Sequence, residues 1–92
     1  MSISNADIQK AIRIRKSVSD FFEKSPETKI LAKDLMQKFI KDGIFLKDDK
    51  EGLPIRSFLR LLLDNNHLHL VSQAWPEPKI KNNNWYFLKT NK

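Results

Sequence analysis

Cysteine is absent from the 92 residues, and glycine and proline are scarce, with two and four residues respectively. Without cysteine, the chain cannot carry a disulfide framework, a thiolate zinc site, an iron–sulfur cluster or a cysteine nucleophile. So little glycine and proline excludes a flexible linker and a low-complexity segment. The sequence also contains no glycine-rich phosphate-binding loop and no Gly-x-Ser-x-Gly motif, so we expect no enzyme and no cofactor.

Long apolar runs are missing as well. No stretch approaches the roughly 18 apolar residues that a membrane span needs. The opening sequence, MSISN, lacks the charged-then-apolar order of a secretion signal. We therefore expect a soluble cytoplasmic protein that makes no membrane contact. A length of 92 residues favours a single domain over residues 1–92, with an ordered core from about residue 5 to residue 89.

Positive charge exceeds negative charge, since 17 Lys and Arg against 11 Asp and Glu give a net charge of +6. The excess is uneven along the chain: residues 9–16 and residues 79–92 each contain four basic residues and no acidic residue. These segments predict a phosphate-binding surface. A solvated helix face followed by a soluble tail would have the same composition.

The first helical pattern runs from about residue 5 to residue 24, where apolar residues recur at the spacing of one helix face. Ser4 or Asn5 can cap its N-terminus, because either side chain accepts hydrogen bonds from the free amides of a first turn. Arg15 is the one polar interruption of the apolar stripe.

Two further helices are predicted. One covers residues 31–40 and ends near Gly43, which suits the left-handed conformation of a helix C-cap. Residues 28–31 form either a short strand before this helix or its first turn. The other helix begins at Pro54, whose missing N–H costs nothing in a first turn, and ends at the turn formers of residues 64–66.

The apolar period changes from 3.6 to 2 at residue 67, which predicts a strand over residues 67–75. Proline does not fit a central strand, so the Pro-Glu-Pro segment at residues 76–78 marks the start of a loop. The aromatic segment at residues 85–88 predicts a second strand, antiparallel to the first.

Four aromatic residues, at positions 75 and 85–87, lie in or near these strands. Alternation puts Trp85 and Phe87 on one face of the sheet, where they would fill the core. Interleaved with nearby lysines, the same aromatic residues would stack on unpaired bases. Trp75, beside a proline, is the aromatic residue that we expect to be exposed, and exposed aromatic residues also anchor protein interfaces.

His67 and His69 lie two residues apart and would share a strand face. Two such histidines bind a metal only if a third ligand converges on them, and a half-exposed polar face also accounts for the pair. The acidic loop at residues 48–52 lacks the ligand alternation of a calcium loop. We therefore expect no metal site.

The order of these elements is helix, short strand, helix, helix, strand, loop, strand. It resembles that of the winged helix-turn-helix family from about residue 5 to residue 89. The resemblance implies an α+β fold, a three-helix winged-helix-like domain with a C-terminal antiparallel β-hairpin as the wing. In this alignment of elements, residues 29–35 look like the start of the second helix and residues 54–65 occupy the place of the recognition helix. Residues 68–75 and 85–88 look like the wing.

Members of this family usually bind double-stranded DNA, with the third helix in the major groove and the wing on the backbone. The resemblance implies the same function here, exercised mainly through phosphate contacts in a transcriptional regulator or accessory module. It places Arg56, Ser57 and Arg60 at the polar positions of the recognition helix, where the planar fork of arginine grips guanine or phosphate. Lys79 and Lys81 would hold the DNA backbone from the wing.

Three basic side chains of the first helix are further candidates for phosphate contacts: Lys10, Arg13 and Lys16. The third helix is apolar over more than one side, however, and the loop before it is acidic. The rival prediction is therefore a winged-helix protein-interaction module that does not bind nucleic acid. In that case the third helix, or Trp75 with the wing, would bind a protein partner or a second copy of the chain.

Overall fold

A computed structural model describes residues 3–48, 52–78 and 83–89. Within these ranges the chain forms three α-helices and a three-stranded antiparallel sheet, an α+β fold that is compatible with a winged-helix arrangement. None of the helices in these ranges combines the length and the apolar character that crossing a membrane requires. The elements are α1 (Asn5–Lys24), β1 (Lys29–Leu31), α2 (Met36–Lys41), α3 (Leu53–Asp64), β2 (Ala74–Pro78) and β3 (Asn83–Leu88), with 3-10 helices at Ala32–Leu35 and Leu68–Val71.

α1 begins with a capping box. The Ser4 hydroxyl accepts a hydrogen bond from the Asp7 amide at 3.1 Å, and the Asp7 carboxylate accepts one from the Ser4 amide at 3.2 Å. These bonds satisfy two amides that a helix start leaves free. Of the two predicted caps, Ser4 is therefore the one that is used. The buried face of α1 consists of Ala11, Ile14, Ser17, Val18 and Phe22.

α2 ends at the glycine that the sequence indicated. Gly43 has a φ of 78°, and the next amide, that of Ile44, donates to the Phe39 carbonyl at 2.8 Å. This pattern satisfies the last carbonyls of the helix and reverses the chain. The reversal buries Ile44, whereas Leu46 is 99% exposed.

The predicted strand over residues 67–75 is wrong in its first part. Asn66, with a φ of 61°, ends α3 in a tight reversal, and the chain continues as the 3-10 helix Leu68–Val71. Residues three apart lie on one side of such a helix, so this apolar segment can bury Val71 completely without being extended. Strand structure begins only at Ala74.

The segment at residues 76–78, predicted to start a loop, instead forms the end of β2. The strand order β1-β3-β2 places β2 at an edge of the sheet, which is where strands tolerate proline. β3 is central and pairs with both neighbours, with Lys29 opposite Leu88 and Ala74 opposite Phe87. Residues 28–31 were predicted to form either a short strand or the first turn of the next helix. β1 shows that they contain a short strand.

The inner face of β3 is part of the core, as the alternation predicted. Trp85 is 5% exposed and Phe87 is fully buried. The Phe87 ring lies edge-on to that of Phe39 in α2, with 5.9 Å between the ring centroids. Because Trp85 and Phe87 are buried, they cannot stack on bases in this fold. Trp75 is 51% exposed, which confirms the prediction that it is the exposed aromatic residue.

The start of α3 depends on Gly52, which has a φ of 94°. A Cβ atom at this position would lie 2.8 Å from the Cα atom of Lys33 and closer still to its Cβ atom. Both the left-handed backbone and this close approach exclude an ordinary side chain. The contact holds the N-terminus of α3 against the 3-10 helix that precedes α2.

We expect Gly52→Ala to lower the free energy of unfolding by about 2 kcal/mol or more, because strain from the left-handed conformation adds to the clash with Lys33. Gly43→Ala is the matched control. It has a similar φ of 78°, but its Cβ would meet only the tip of Arg13, at 3.3 Å, so we expect a loss of about 1 kcal/mol. Urea denaturation measures both losses, and equal values would contradict the role given to the close approach.

Candidate nucleic-acid interface

α3 has one face in the core and one face in solvent. The buried face consists of Ile55, Phe58, Leu59 and Leu62. The exposed residues recur at intervals of three and four, so they form one outward stripe. In order along the helix, this outward stripe consists of Leu53, Ser57, Arg60, Leu61 and Asp64.

Ser57 and Arg60, two of the predicted recognition residues, lie on this outward stripe, and Arg56 is half-buried one turn before Arg60. Arg60 Nε donates to Asp64 Oδ1 at 3.2 Å, and these side chains are 62% and 58% exposed. An ion pair this exposed to water contributes little stability. A phosphate can therefore compete for Arg60, although Asp64 leaves a negative charge beside it.

Two leucines share the outward stripe with these polar side chains. Leu53 is 38% exposed and Leu61 is 36% exposed. They lie eight residues apart with Ser57 midway between them, so all three lie on one side of the helix. The outward stripe is thus mixed in character, with apolar surface beside a paired arginine.

Lys10 and Arg13 lie beside the connection between α2 and α3. Lys10 Nζ is 4.3 Å from the ring centroid of Phe45 and 5.6 Å from that of Phe58. Arg13 Nη2 donates to the main-chain carbonyl of Asp42 at 3.1 Å. Arg13 therefore lies at the end of α2, whereas Lys10 lies against the connection and against Phe58 within α3.

The other predicted cations outside α3 do not join Lys10 and Arg13 beside the connection between α2 and α3. Lys16 lies one turn beyond Arg13, and its exposed side chain makes no hydrogen bond or ion pair with the residues that the structure describes. Lys79 and Lys81 lie outside the described residues, in the segment that connects β2 to β3. Of the predicted cations outside α3, Lys10 and Arg13 therefore contact the connection between α2 and α3.

A cluster of charged and polar groups fastens α1 to α2. Lys38 Nζ donates to Asp20 at 2.8 Å and to Asp42 at 3.1 Å. The buried hydroxyl of Ser17 donates to the same oxygen of Asp42 at 2.6 Å. Lys24 adds a second cation to Asp20, at 3.2 Å. The sequence did not predict this cluster, because its only local signal is a serine at a core position of the first helix.

The cluster shifts three pKa values. The hydrogen bond from Lys38, followed by that from Lys24, lowers the pKa of Asp20 below its ordinary value of 3.8. The hydrogen bond from Ser17, followed by that from Lys38, lowers the pKa of Asp42. The hydrogen bond to Asp20 raises the pKa of Lys38. Because both carboxylates are more acidic in the folded chain, their stabilising effect is present above pH 3.8 and is lost as the pH falls through their folded values.

We expect Asp42→Asn to lower stability at neutral pH and to make stability less sensitive to acid, because the variant has lost one carboxylate with a lowered pKa. Urea denaturation at neutral pH and below pH 3.8 measures both effects. Asp64→Asn is the control, since it removes an exposed carboxylate from an exposed ion pair and should change stability little. An Asp42→Asn variant that loses stability in acid as steeply as the parent would contradict this account.

The two histidines do not share a strand face. His67 precedes the 3-10 helix Leu68–Val71, His69 lies within it, and their ring centroids are 6.0 Å apart. His67 Nδ1 is hydrogen-bonded to the carbonyl of Asn65. Within the described residues, no three His, Cys, Asp or Glu side chains are grouped so as to hold a metal ion. Residues 49–51 of the acidic loop lie outside those residues.

Comparisons of the chain with protein-family models, with curated proteins and with solved structures found no match. The candidate interface consists of the outward stripe of α3, together with Lys10 and Arg13 of α1, which lie beside the connection leading into α3.

Proposed function

We propose that this chain is a winged-helix domain that binds double-stranded DNA, mainly through phosphate contacts, as a transcriptional regulator or an accessory module. The observation that supports this most is the position of α3. Its apolar side is fixed in the core, which leaves Ser57 and Arg60 on the outside. Twelve residues of helix extend about 18 Å, a length that can lie along the major groove.

The charge distribution supports contact with the backbone rather than extensive reading of bases. The chain carries a net charge of +6, which attracts it to DNA irrespective of sequence. Lys10 and Arg13 would contact phosphates from beside the connection between α2 and α3. Arg60 is the one cation on the outward stripe, and its neighbours Leu53 and Leu61 offer no hydrogen bonds to bases. The hairpin of β2 and β3 would serve as the wing, with Lys79 and Lys81 on phosphates.

We expect Arg60→Ala to weaken binding to a DNA duplex roughly tenfold at low salt, because it removes the cation at the centre of the outward stripe. Titrations at two salt concentrations should show that the affinity of the parent falls steeply as salt increases. The affinity of the variant should fall less steeply, because it releases about one counterion fewer on binding. The absence of binding at low salt would refute the proposal.

Two matched variants separate a specific contact from diffuse charge. Lys24→Ala removes the same charge from a 77% exposed side chain at the end of α1, and it should weaken binding less than Arg60→Ala does. Asp64→Asn removes the negative charge beside Arg60 and should strengthen binding. Equal losses for Arg60→Ala and Lys24→Ala would mean that α3 is not the contacting helix.

The exposure of Leu53 and Leu61 favours a second candidate function, a protein-interaction module that uses the same stripe. Apolar contacts depend little on salt, whereas phosphate contacts weaken with it. We therefore expect a dimer or complex formed through this stripe to persist on a sizing column at high salt, and Leu61→Ser to dissociate it. A monomer that binds DNA in a salt-dependent way would exclude this candidate.

A further inference from the structure

Two leucines on the outward stripe of α3 lie outside the core and face solvent. Leu53 is 38% exposed and Leu61 is 36% exposed. Neither belongs to the hydrophobic core or to the apolar side chains that pack against it. Leucine surface is unfavourable in water and favourable against another apolar group. The pair therefore indicates contact with a partner that offers apolar groups.

The polar neighbours of these leucines show what else that partner carries. Arg60 lies beside Leu61, and Ser57 lies midway between the two leucines. Asp64 is the one acidic residue of the outward stripe, and its carboxylate already accepts a hydrogen bond from Arg60. The chain as a whole has a net charge of +6. A partner that complements this stripe combines negative charge with apolar groups, and double-stranded DNA has both.

Thymine supplies the apolar group of the major groove. The edges of all four bases present hydrogen-bond donors or acceptors there, and thymine alone adds a methyl group, at C5. A leucine packed against this methyl group removes apolar surface of both partners from water. Over a G·C pair the same leucine would cover polar atoms without bonding them, which costs free energy. An outward leucine thus selects thymine by attraction and disfavours G·C pairs by desolvation.

We infer that Leu53 and Leu61 make this chain prefer duplexes that carry thymine in the base pairs facing α3. The inference rests on the proposed binding of DNA through α3, and it adds the class of base that is recognised. The two leucines are eight residues apart, which is about 12 Å along the helix, and successive base pairs are about 3.4 Å apart. With the helix along the groove, they contact bases about three or four steps apart. Ser57, between them, can bond either kind of base pair.

Replacement of thymidine by deoxyuridine tests the inference, because it removes the C5 methyl group and keeps every hydrogen-bonding atom of the base edge. The full chain is titrated at low salt with a duplex of A·T pairs only, and with the same duplex in which deoxyuridine replaces every thymidine. We expect the uracil duplex to bind about fourfold more weakly or worse, which is the loss that corresponds to one buried methyl group.

Alanine variants show which side chains recognise the methyl group. Leu61→Ala should weaken binding to the thymine duplex more than binding to the uracil duplex, so the difference between the two duplexes should shrink. Leu53→Ala should shrink it in the same way. Leu46→Ala is the matched control, because it removes the same atoms from a residue that is 99% exposed and lies outside α3, and it should keep the full difference. Each comparison is made between two duplexes within one variant, so a change in the stability of the variant does not imitate the result.

The outcomes separate this inference from the function on which it rests. Equal affinity of the parent for the thymine and uracil duplexes would refute the inference and leave the proposed DNA binding intact. A difference that both Leu53→Ala and Leu61→Ala leave unchanged would also refute it, and that result is expected if the leucines instead bind a protein partner or a second copy of the chain. If neither duplex binds at low salt, the proposed function is wrong and this inference is wrong with it.

Discussion

The contact between Phe87 of β3 and Phe39 of α2 is the packing interaction on which the rest of this fold depends. Both rings are fully buried and meet edge-on, so the contact couples the sheet to the helices over a large apolar area. β3 pairs with both other strands, so fixing β3 fixes the sheet. The ion pair between Lys38 and Asp20 holds α2 against α1. The segment before α2 contacts the start of α3, where Lys33 packs against Gly52. The direction in which the outward stripe of α3 faces solvent follows from this one arrangement.

The parts of the fold that the sequence predicted correctly are those set by neighbours within a few residues. The N-cap at Ser4, one of the two that were predicted, and the left-handed residue at Gly43 are local, and both are confirmed. The predicted strand over residues 67–75 is wrong in its first part because the apolar spacing there fits a strand and also a 3-10 turn. Packing against α3 and against α1, which is remote in sequence, decides between them. Proline in β2 is likewise explained by strand order, which a local pattern does not contain.

For the candidate interface, too, the sequence predicted what depends on local spacing and not what depends on contacts between distant residues. Helical spacing was sufficient to place Ser57 and Arg60 opposite the core face of α3. It was not sufficient to find the hydrogen bond from the Gln73 side chain to the Arg15 carbonyl, which joins residues 58 positions apart. A main-chain carbonyl gives no signal in the sequence, because every residue has one.

The position of Arg15 also changes what the net charge of the chain means. Arg13 and Arg15 are two residues apart, so their side chains leave α1 in directions about 160° apart. One contacts the connection leading into α3, and the other lines a cleft beside the sheet, together with Ser72 and Lys89. The basic segment at residues 9–16, which in the sequence resembles one phosphate-binding patch, is therefore divided between two sides of the molecule. Charge counted along a helix overstates the field at either surface, so the α3 side carries fewer cations than the net charge of +6 suggests.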